Sequence, residues 1–282
     1  MKIAACVILY NPDESVIQNI KSYNAHIDKL YLIDNSESIN ANLHNDFNSL
    51  SHANIFHNGV NEGVAKRLNQ ACDFAIKDGF DYLLTMDQDS FFDEAFVSKY
   101  FECIETSKEQ DVSMYGINYQ QKKDELNCKY FEAKFIITSG SVINLKLFQN
   151  VGGFDEKLFI DFVDTEYCFR SIQKGFKIIE FSNIYMNHSL GEPIEKYSLK
   201  TLKKTSRSFH SATRLYYMTR NFFYINAKYE KDFSAEIKVL KKDLLNRIKN
   251  KIFYKPKRFA TLKTLFQAIK DFKSKKMGKL SD

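Results

Sequence analysis

Two carboxylates two residues apart, Asp87 and Asp89, follow the apolar run Tyr82–Met86. If the chain stays extended beyond that run, both face one cleft, and hard oxygen donors of this kind suit Mg²⁺ or Mn²⁺ bridging to phosphate oxygens. A metal so placed neutralises charge developing on a departing diphosphate. The same pattern also serves as a polar strand exit or an Asx turn. A second acidic cluster, Asp155-Glu156 and then Asp161, Asp164 and Glu166, lies after Gly152-Gly153-Phe154. A carboxylate within reach of a hydroxyl can remove its proton during attack at an anomeric carbon, and Asp164, opening a helix over 165–174, is the candidate. Asp164 and Glu166 also fit as acids facing a helix dipole, the favoured reading for Glu166. His188, after the run Ile184–Asn187, is a candidate metal ligand or phosphate contact, although a lone His also serves as a structural side chain. The stretch Asn61-Glu62-Gly63-Val64-Ala65-Lys66-Arg67 opens a helix whose backbone N–H groups suit an anion, or is a plain cap.

These groups need a scaffold, and the patterning supplies one. Ile3–Leu9 is a continuous β-rich run closed by Asn11-Pro12-Asp13, and Leu30–Ile33, Asn54–His57 and Tyr82–Met86 follow as further strands. Val16, Ile17, Ile20, Tyr23 and Ile27 recur at helical spacing, as do Val64, Leu68, Cys72 and Ala75. Strand–helix–strand repetition predicts an α/β fold with a mainly parallel sheet flanked by helices. Ligands in such sheets bind beyond the carboxyl ends of the strands, where Asn11, Asp34, Asn58 and Asp87 fall. From Asp111 the pattern is mixed, with strands expected at Val112–Ile117, Phe135–Ser139, Ser141–Asn144, Lys177–Phe181 and Ile184–Asn187. Beyond Lys196 the chain reads as helical and basic, with a break at Pro256.

Composition removes several classes. Ten Gly and three Pro in 282 residues exclude collagen-like and disordered chains, and 25 Phe with 16 Tyr supply a sizeable core. The run after Met1-Lys2 is too short for a signal peptide, lacks a small-residue cleavage site, and reads as a buried strand. No stretch approaches the roughly 18 apolar residues needed to span a bilayer. The five scattered cysteines, without a CxxC pair, read as reduced buried thiols in a cytoplasmic protein. Charge divides the chain. Lys241–Asp282 holds fourteen Lys and Arg against three Asp, a net +11, which leaves the first 240 residues at −5.

Taken in order, residues 1–225 resemble the family 2 glycosyltransferases of the GT-A fold. The resemblance runs through Asp34-Asn35-Ser36, Asn61-x-Gly63-x-Ala65 with Asn69, Asp87-Gln88-Asp89, Ser139-Gly140-Ser141, Gly152-Gly153-Phe154-Asp155-Glu156, Val163-Asp164-Thr165-Glu166 and Arg214–Asn221. Met86–Ser90, Asp161-Phe162-Val163-Asp164 and His188-Ser189-Leu190-Gly191 are most similar to the rhamnosyltransferase subgroup. Leu68 stands where many members carry Arg, Ala71 where Gly is frequent, and Val163 where an acidic residue often precedes the base.

The resemblance implies a GT-A fold, Rossmann-like, over 1–228, followed by a basic amphipathic helical extension over 229–282. It implies an inverting, Mg²⁺- or Mn²⁺-dependent transfer of a sugar, rhamnose from dTDP-rhamnose in this subgroup, to a saccharide or lipid-linked acceptor. Asp34, Asn61 and Asp87 would hold the nucleotide, Asp87, Asp89 and His188 the metal, and Asp164 would be the base. A nucleotidyltransferase is the nearest alternative, but Tyr10-Asn11-Pro12-Asp13 occupies the place of its Gly-rich, basic triphosphate loop. A non-catalytic binding module leaves the acidic strand ends unexplained.

In the extension, Ile237, Leu240, Leu244, Leu245, Ile248 and Ile252 form one stripe, and Phe259, Leu262, Leu265, Phe266, Ile269 and Phe272 a second. With the lysines around them they suggest a peripheral contact with an anionic membrane, at the inner face of the plasma membrane, or packing on the enzyme or on a second subunit of a homodimer. No recognition motif for nucleic acid accompanies them.

Overall fold

The computed structural model describes residues 1–119, 125–188, 194–197, 204–207, 209–254 and 258–280. They divide into two compact units, Met1–Glu156 with Val163–His188, and Lys157–Phe162 with Ser189–Asp282. The break expected at Pro256 and residues 189–191 of the His188 run lie outside the described residues.

The first unit begins β1 (Ile3–Leu9), α1 (Ser15–Asn24), β2 (Lys29–Asp34), α2 (Ala41–Asn48), β3 (Ala53–His57), α3 (Val64–Lys77) and β4 (Tyr82–Asp87). It continues through β5 (Ser90–Phe91), α4 (Glu94–Glu105), β6 (Val112–Asn118), β7 (Tyr130–Glu132), β8 (Ser141–Asn144), α5 (Leu145–Val151), α6 (Val163–Gln173), β9 (Lys177–Tyr185) and β10 (Asn187–His188). The main sheet has the order β3-β2-β1-β4-β8-β6-β9-β7. The four expected strands β1 to β4 are parallel neighbours; β1, β2 and β4 are largely apolar and buried, whereas β3, at the edge of the sheet, is only partly buried. Ile3 to Val7 and Leu30 to Asp34 are buried throughout. Here a short apolar run is the signature of a strand buried on both sides.

The second half departs from expectation in detail. Phe135–Ser139 is not a strand; β7 lies earlier, at Tyr130–Glu132 on the edge of the sheet, and residues 133–140 lead through a turn into β8. β8 runs antiparallel to β4 and β6. The expected strands at Lys177–Phe181 and Ile184–Asn187 are one strand, β9, followed by the short β10. Cys103 on α4 and Cys128 form a disulfide across 25 residues, their Cα atoms 5.3 Å apart, so the all-reduced reading of the cysteines fails. Spacing alone could not reveal it, because the fold brings the segment before β7 against α4. Cys6, Cys72 and Cys168 are free and buried, as expected.

In the second unit β11 (Ile194–Tyr197) pairs antiparallel with β12 (Lys204–Arg207), and α7 (Ala212–Tyr229), α8 (Ser234–Tyr254) and α9 (Arg258–Lys273) follow. Ser211 caps α7 through a hydrogen bond from the Arg214 amide. The expected stripe on α8 is partly buried at Ile237 and Leu244, with Leu245 left exposed. On α9 the expected stripe splits. Thr261, Ala268 and Asp271 turn inward, and Phe259, Leu262 and Phe266 turn out. The reason is a polar anchor, since the Tyr216 hydroxyl on α7 donates to Asp271 at 2.7 Å. Among the described residues no helix is long and apolar enough to cross a membrane.

Candidate active site

The register of the parallel strands aligns the candidate residues. Asp34 pairs opposite Leu9, and Asp87 opposite Ile8, so the two carboxylates end strands on either side of β1 one residue apart in register. Parallel strands must end together at such an edge, which is where the α/β architecture puts its ligands.

Asp87, Asp89 and His188 converge, each offering a ligand atom within 4.8 Å of the others. His188 arrives by a device that local sequence does not show. β10 pairs antiparallel with β5, directly after the Asp87-Gln88-Asp89 run, and the register sets His188 opposite Ser90. The Asp87 amide donates to Ser139 Oγ at 3.1 Å, and Ser139 Oγ donates to Ser90 Oγ at 2.8 Å. Ser90 Oγ lies 2.6 Å from His188 Nδ1 and 3.4 Å from Asp89 Oδ1. A serine hydroxyl has one proton. If Ser90 gives it to Asp89, it accepts from both Ser139 and an Nδ1–H, and His188 Nε2 keeps the lone pair a metal requires. Tyr119 packs edge-on against the imidazole, ring centres 6.2 Å apart. Gln88, between the two carboxylates, accepts from the Tyr10 amide at 2.8 Å and fixes the exit of β4 to that of β1.

Two carboxylates and one imidazole fit Mg²⁺ or Mn²⁺ by donor chemistry, and the exposure of both Asp side chains leaves coordination positions for water or phosphate oxygens.

Asp34 is buried and both of its oxygens are engaged. Oδ1 accepts from the Ser36 amide at 2.9 Å, and Oδ2 lies 2.7 Å from His44 Nε2. His57, whose Nε2 donates to the Ser36 carbonyl at 3.0 Å, completes the cluster. Neither imidazole was singled out in the sequence, because His44 lies on α2, a helix with no strong periodic signal.

Asn61 stands in the loop leading to α3, and its role is partly internal. Its Oδ1 accepts from Asn35 Nδ2 at 2.9 Å and from the Gly63 amide at 3.1 Å. Gly63 has φ +85°, a conformation that a side chain would strain, and it is the N-cap of α3. Beneath this loop lies Arg67, its side chain wholly buried. Its guanidinium donates to Asn35 Oδ1, Asn58 Oδ1, the Val60 carbonyl and Gln70, and it pairs with Glu62 at 3.1 Å. The hydrogen bond from Lys66 holds the Glu62 carboxyl below its usual range, with Asn58 and Arg67 adding to it.

Asp164 occupies the first turn of α6, where its Oδ1 accepts from the Thr165 amide at 2.7 Å. Glu166, by contrast, is fully buried against Arg170, bonded through both oxygens. Arg170 in turn donates to the carbonyls of Val151, Gly152 and Gly153. The other side of that loop is gripped by Asn69, which accepts from the Phe154 amide at 2.6 Å and donates to the Phe154 carbonyl. A Cβ on Gly153 would sit 2.7 Å from Asn69 Oδ1, and Gly152 has φ +84°, so close approach favours glycine at position 153 and backbone conformation favours it at 152.

The segment before Asp164 is unusual. Phe159, Asp161 and Phe162 all take positive φ, near +63°, +62° and +66°. Such a run in non-glycine residues is held only when its surroundings over-determine it. Asn221 on α7 donates to the carbonyls of Leu158, Ile160 and Asp161 at 2.8 to 3.0 Å, and Arg214 pairs with Asp161 at 3.1 Å. Burial raises the Asp161 carboxyl above its usual range, and Arg214 opposes that.

Residues 5–155 match the family model for glycosyl transferase family 2. The chain is 28% identical over 248 residues to the dTDP-rhamnosyl transferase RfbF of Shigella flexneri, covering 80% of each. Its fold is similar to that of S. aureus TarS 1–349 solved in complex with UDP-GlcNAc, with a TM-score of 0.58 at 14% identity, over 96% of this chain and 80% of that one. It is similar also to GalNAc-T7 solved with UDP, GalNAc and Mn²⁺, with a TM-score of 0.54 at 13% identity, over 67% of this chain and 44% of that one. The aligned strand ends and the family match over more than half of the length agree, and the chain belongs to glycosyl transferase family 2, an enzyme of the GT-A fold that uses a nucleotide-sugar donor.

Proposed function

We propose that this glycosyltransferase moves rhamnose from dTDP-rhamnose, with inversion, to a saccharide or lipid-linked acceptor in surface polysaccharide synthesis. The observation that carries the site assignment is the convergence of Asp87, Asp89 and His188 at the ends of β4 and β10. Asp87, Asp89 and His188 are the residues that would hold Mg²⁺ or Mn²⁺, and such an ion would offset charge on the leaving diphosphate. Asp34, Asn61 and Asp87 face the nucleotide. Asp164 takes the proton of the acceptor hydroxyl as its oxygen attacks C1 and the bond from C1 to the diphosphate oxygen breaks. A β-linked donor then gives an α-linked product. The sugar is assigned from the likeness to RfbF and from the Met86–Ser90 and Asp161–Asp164 runs.

The catalytic domain is taken as 1–228 and the basic extension as 229–282. A cytoplasmic setting, peripheral to the inner face of the plasma membrane, brings donor and lipid-linked acceptor together. With Cys103 and Cys128 bridged, the cysteines no longer support that setting, and it rests on the donor and on the basic extension.

Donor hydrolysis across a panel of nucleotide sugars, with and without Mn²⁺, tests the reading. Selective turnover of dTDP-rhamnose that stops in excess EDTA supports it. Preference for a uridine-diphosphate hexose overturns the sugar assignment, and full activity in EDTA overturns the metal site.

A further inference from the structure

The outer face of α9 pairs large apolar groups with lysines. Phe259 is 88% exposed, Phe266 77% and Leu262 42%. At 3.6 residues per turn these three, with Lys263, Lys270 and Lys273, fall within an arc of about 100° on one side of the helix. The opposite side carries the residues that anchor α9. Ala268 packs with Tyr216 and Tyr217, Asp271 accepts from Tyr216 and Gln267, and Phe272 stacks on Phe223 with ring centres 5.7 Å apart. The helix is therefore fixed with two of its three phenylalanines in water and its carboxylate inside, which is opposite to what burial of apolar surface would select.

We infer that α9 is a membrane-surface helix, lying in the interface of an anionic leaflet with Phe259, Leu262 and Phe266 at the acyl boundary and Lys263, Lys270 and Lys273 among the phosphates. The inference deepens the peripheral-membrane part of the proposed function and rests on it. Charge selects the occupant. The last 42 residues carry a net +11, so a second copy of this face would meet like charge, and an anionic lipid surface meets opposite charge. Aromatic side chains beside lysines on one helical face suit the boundary between headgroups and acyl chains.

The test uses the full chain, because α9 is part of the packing of α7. Vesicles of phosphatidylglycerol and phosphatidylcholine, and of phosphatidylcholine alone, are sedimented with the protein in low and high salt. Two variants are compared, Phe259→Ser with Phe266→Ser, and Lys263→Gln with Lys270→Gln and Lys273→Gln. Both alter exposed positions, and an unchanged unfolding midpoint checks the fold. Wild type binds anionic vesicles in low salt and releases in high salt. The lysine variant partitions about a hundredfold less, at about fivefold per charge, and the aromatic variant about tenfold less or weaker. Equal binding to neutral vesicles, or variants that bind like wild type, overturns the inference. So does a dimer in light scattering that the aromatic variant abolishes, or binding of a DNA duplex that displaces the vesicles. Donor hydrolysis on the same samples separates the two readings. Turnover without vesicle binding defeats only the α9 assignment, and vesicle binding without turnover of any donor defeats the proposed activity.

Discussion

His188 and Asp89 are 99 positions apart in the chain, and the hydroxyl of Ser90, 2.6 Å from His188 Nδ1, holds the imidazole against the carboxylate loop more closely than the direct 3.5 Å approach of Nδ1 to Asp89. Ser90→Ala removes that acceptor, frees the ring to turn, and is expected to weaken Mn²⁺ affinity about 10- to 100-fold by calorimetry. Asp89→Ala removes one of the three proposed ligands, and metal-dependent donor binding should be lost while the unfolding midpoint stays. Asp164→Asn keeps size and hydrogen bonding but cannot take a proton. Transfer should fall roughly 10²- to 10⁴-fold with donor affinity little changed, and single-turnover kinetics beside donor titration would show it. A rate within a few-fold of wild type would remove Asp164 from the base role. The site's charged ends were legible because acids after apolar runs stand out in one dimension. Arg67 was not. A charged residue on an apolar helix face reads as solvated, and only the fold shows its guanidinium satisfying Asn35, Asn58 and Val60 beneath the Asn61 loop. Arg67→Ala would empty the space beneath the loop and take one donor each from Asn35, Asn58 and the Val60 carbonyl, a loss of about 3 kcal/mol in denaturant unfolding.

At the level of elements, β1, β2 and β4 were readable because a strand buried in the middle of the sheet is largely apolar, and α3 because its buried residues recur at helical spacing. The edge was harder. β7 is short and exposed, with Tyr130, Phe131 and Glu132 all on the surface, so burial leaves no pattern there. The pairing of β5 with β10, two residues each, has no local signal at all, yet it delivers His188. The Cys103–Cys128 bridge belongs to this scale also, since it clips the segment before β7 to α4. Closing a loop of 25 residues stabilises by about 3 to 4 kcal/mol in the chain-entropy view. Dithiothreitol, or Cys103→Ser, is therefore expected to lower the thermal midpoint by several degrees while donor hydrolysis at 25 °C persists. An unchanged midpoint would mean that packing alone holds the segment.

Across the whole molecule, two groups that both feel Arg214 and Arg247 draw the pH dependence of stability in opposite directions. Burial, with Arg247 and Arg214 nearby, lowers the His210 imidazole to about 4, so the folded chain keeps it neutral. The unfolded chain takes up that proton from about pH 6.5 downward. Stability from this group is complete above that value and is lost as pH falls toward 4. Asp161, raised by burial, works the other way, since its folded form binds a proton more readily and stability rises as pH falls through its raised value. Denaturant unfolding between pH 7 and 4 is expected to show a declining midpoint that His210→Gln flattens and Asp161→Asn steepens. Identical slopes in all three proteins would show that carboxylates elsewhere dominate.

The clamp on residues 157–162 has a consequence for synthesis. Asn221 bonds the Ile160 carbonyl across 61 residues, so the strained turn leaves the ribosome well before the side chain that holds it. At about 5 to 20 residues per second, the nascent chain waits roughly 3 to 12 seconds with Phe159, Asp161 and Phe162 unsupported. During that interval three positive φ angles are unfavourable, and the turn relaxes to ordinary backbone. Residues 157–162 therefore take their final path only after α7 has been made, so this turn is among the last parts of its own unit to settle, although it is among the first of that unit to be synthesised.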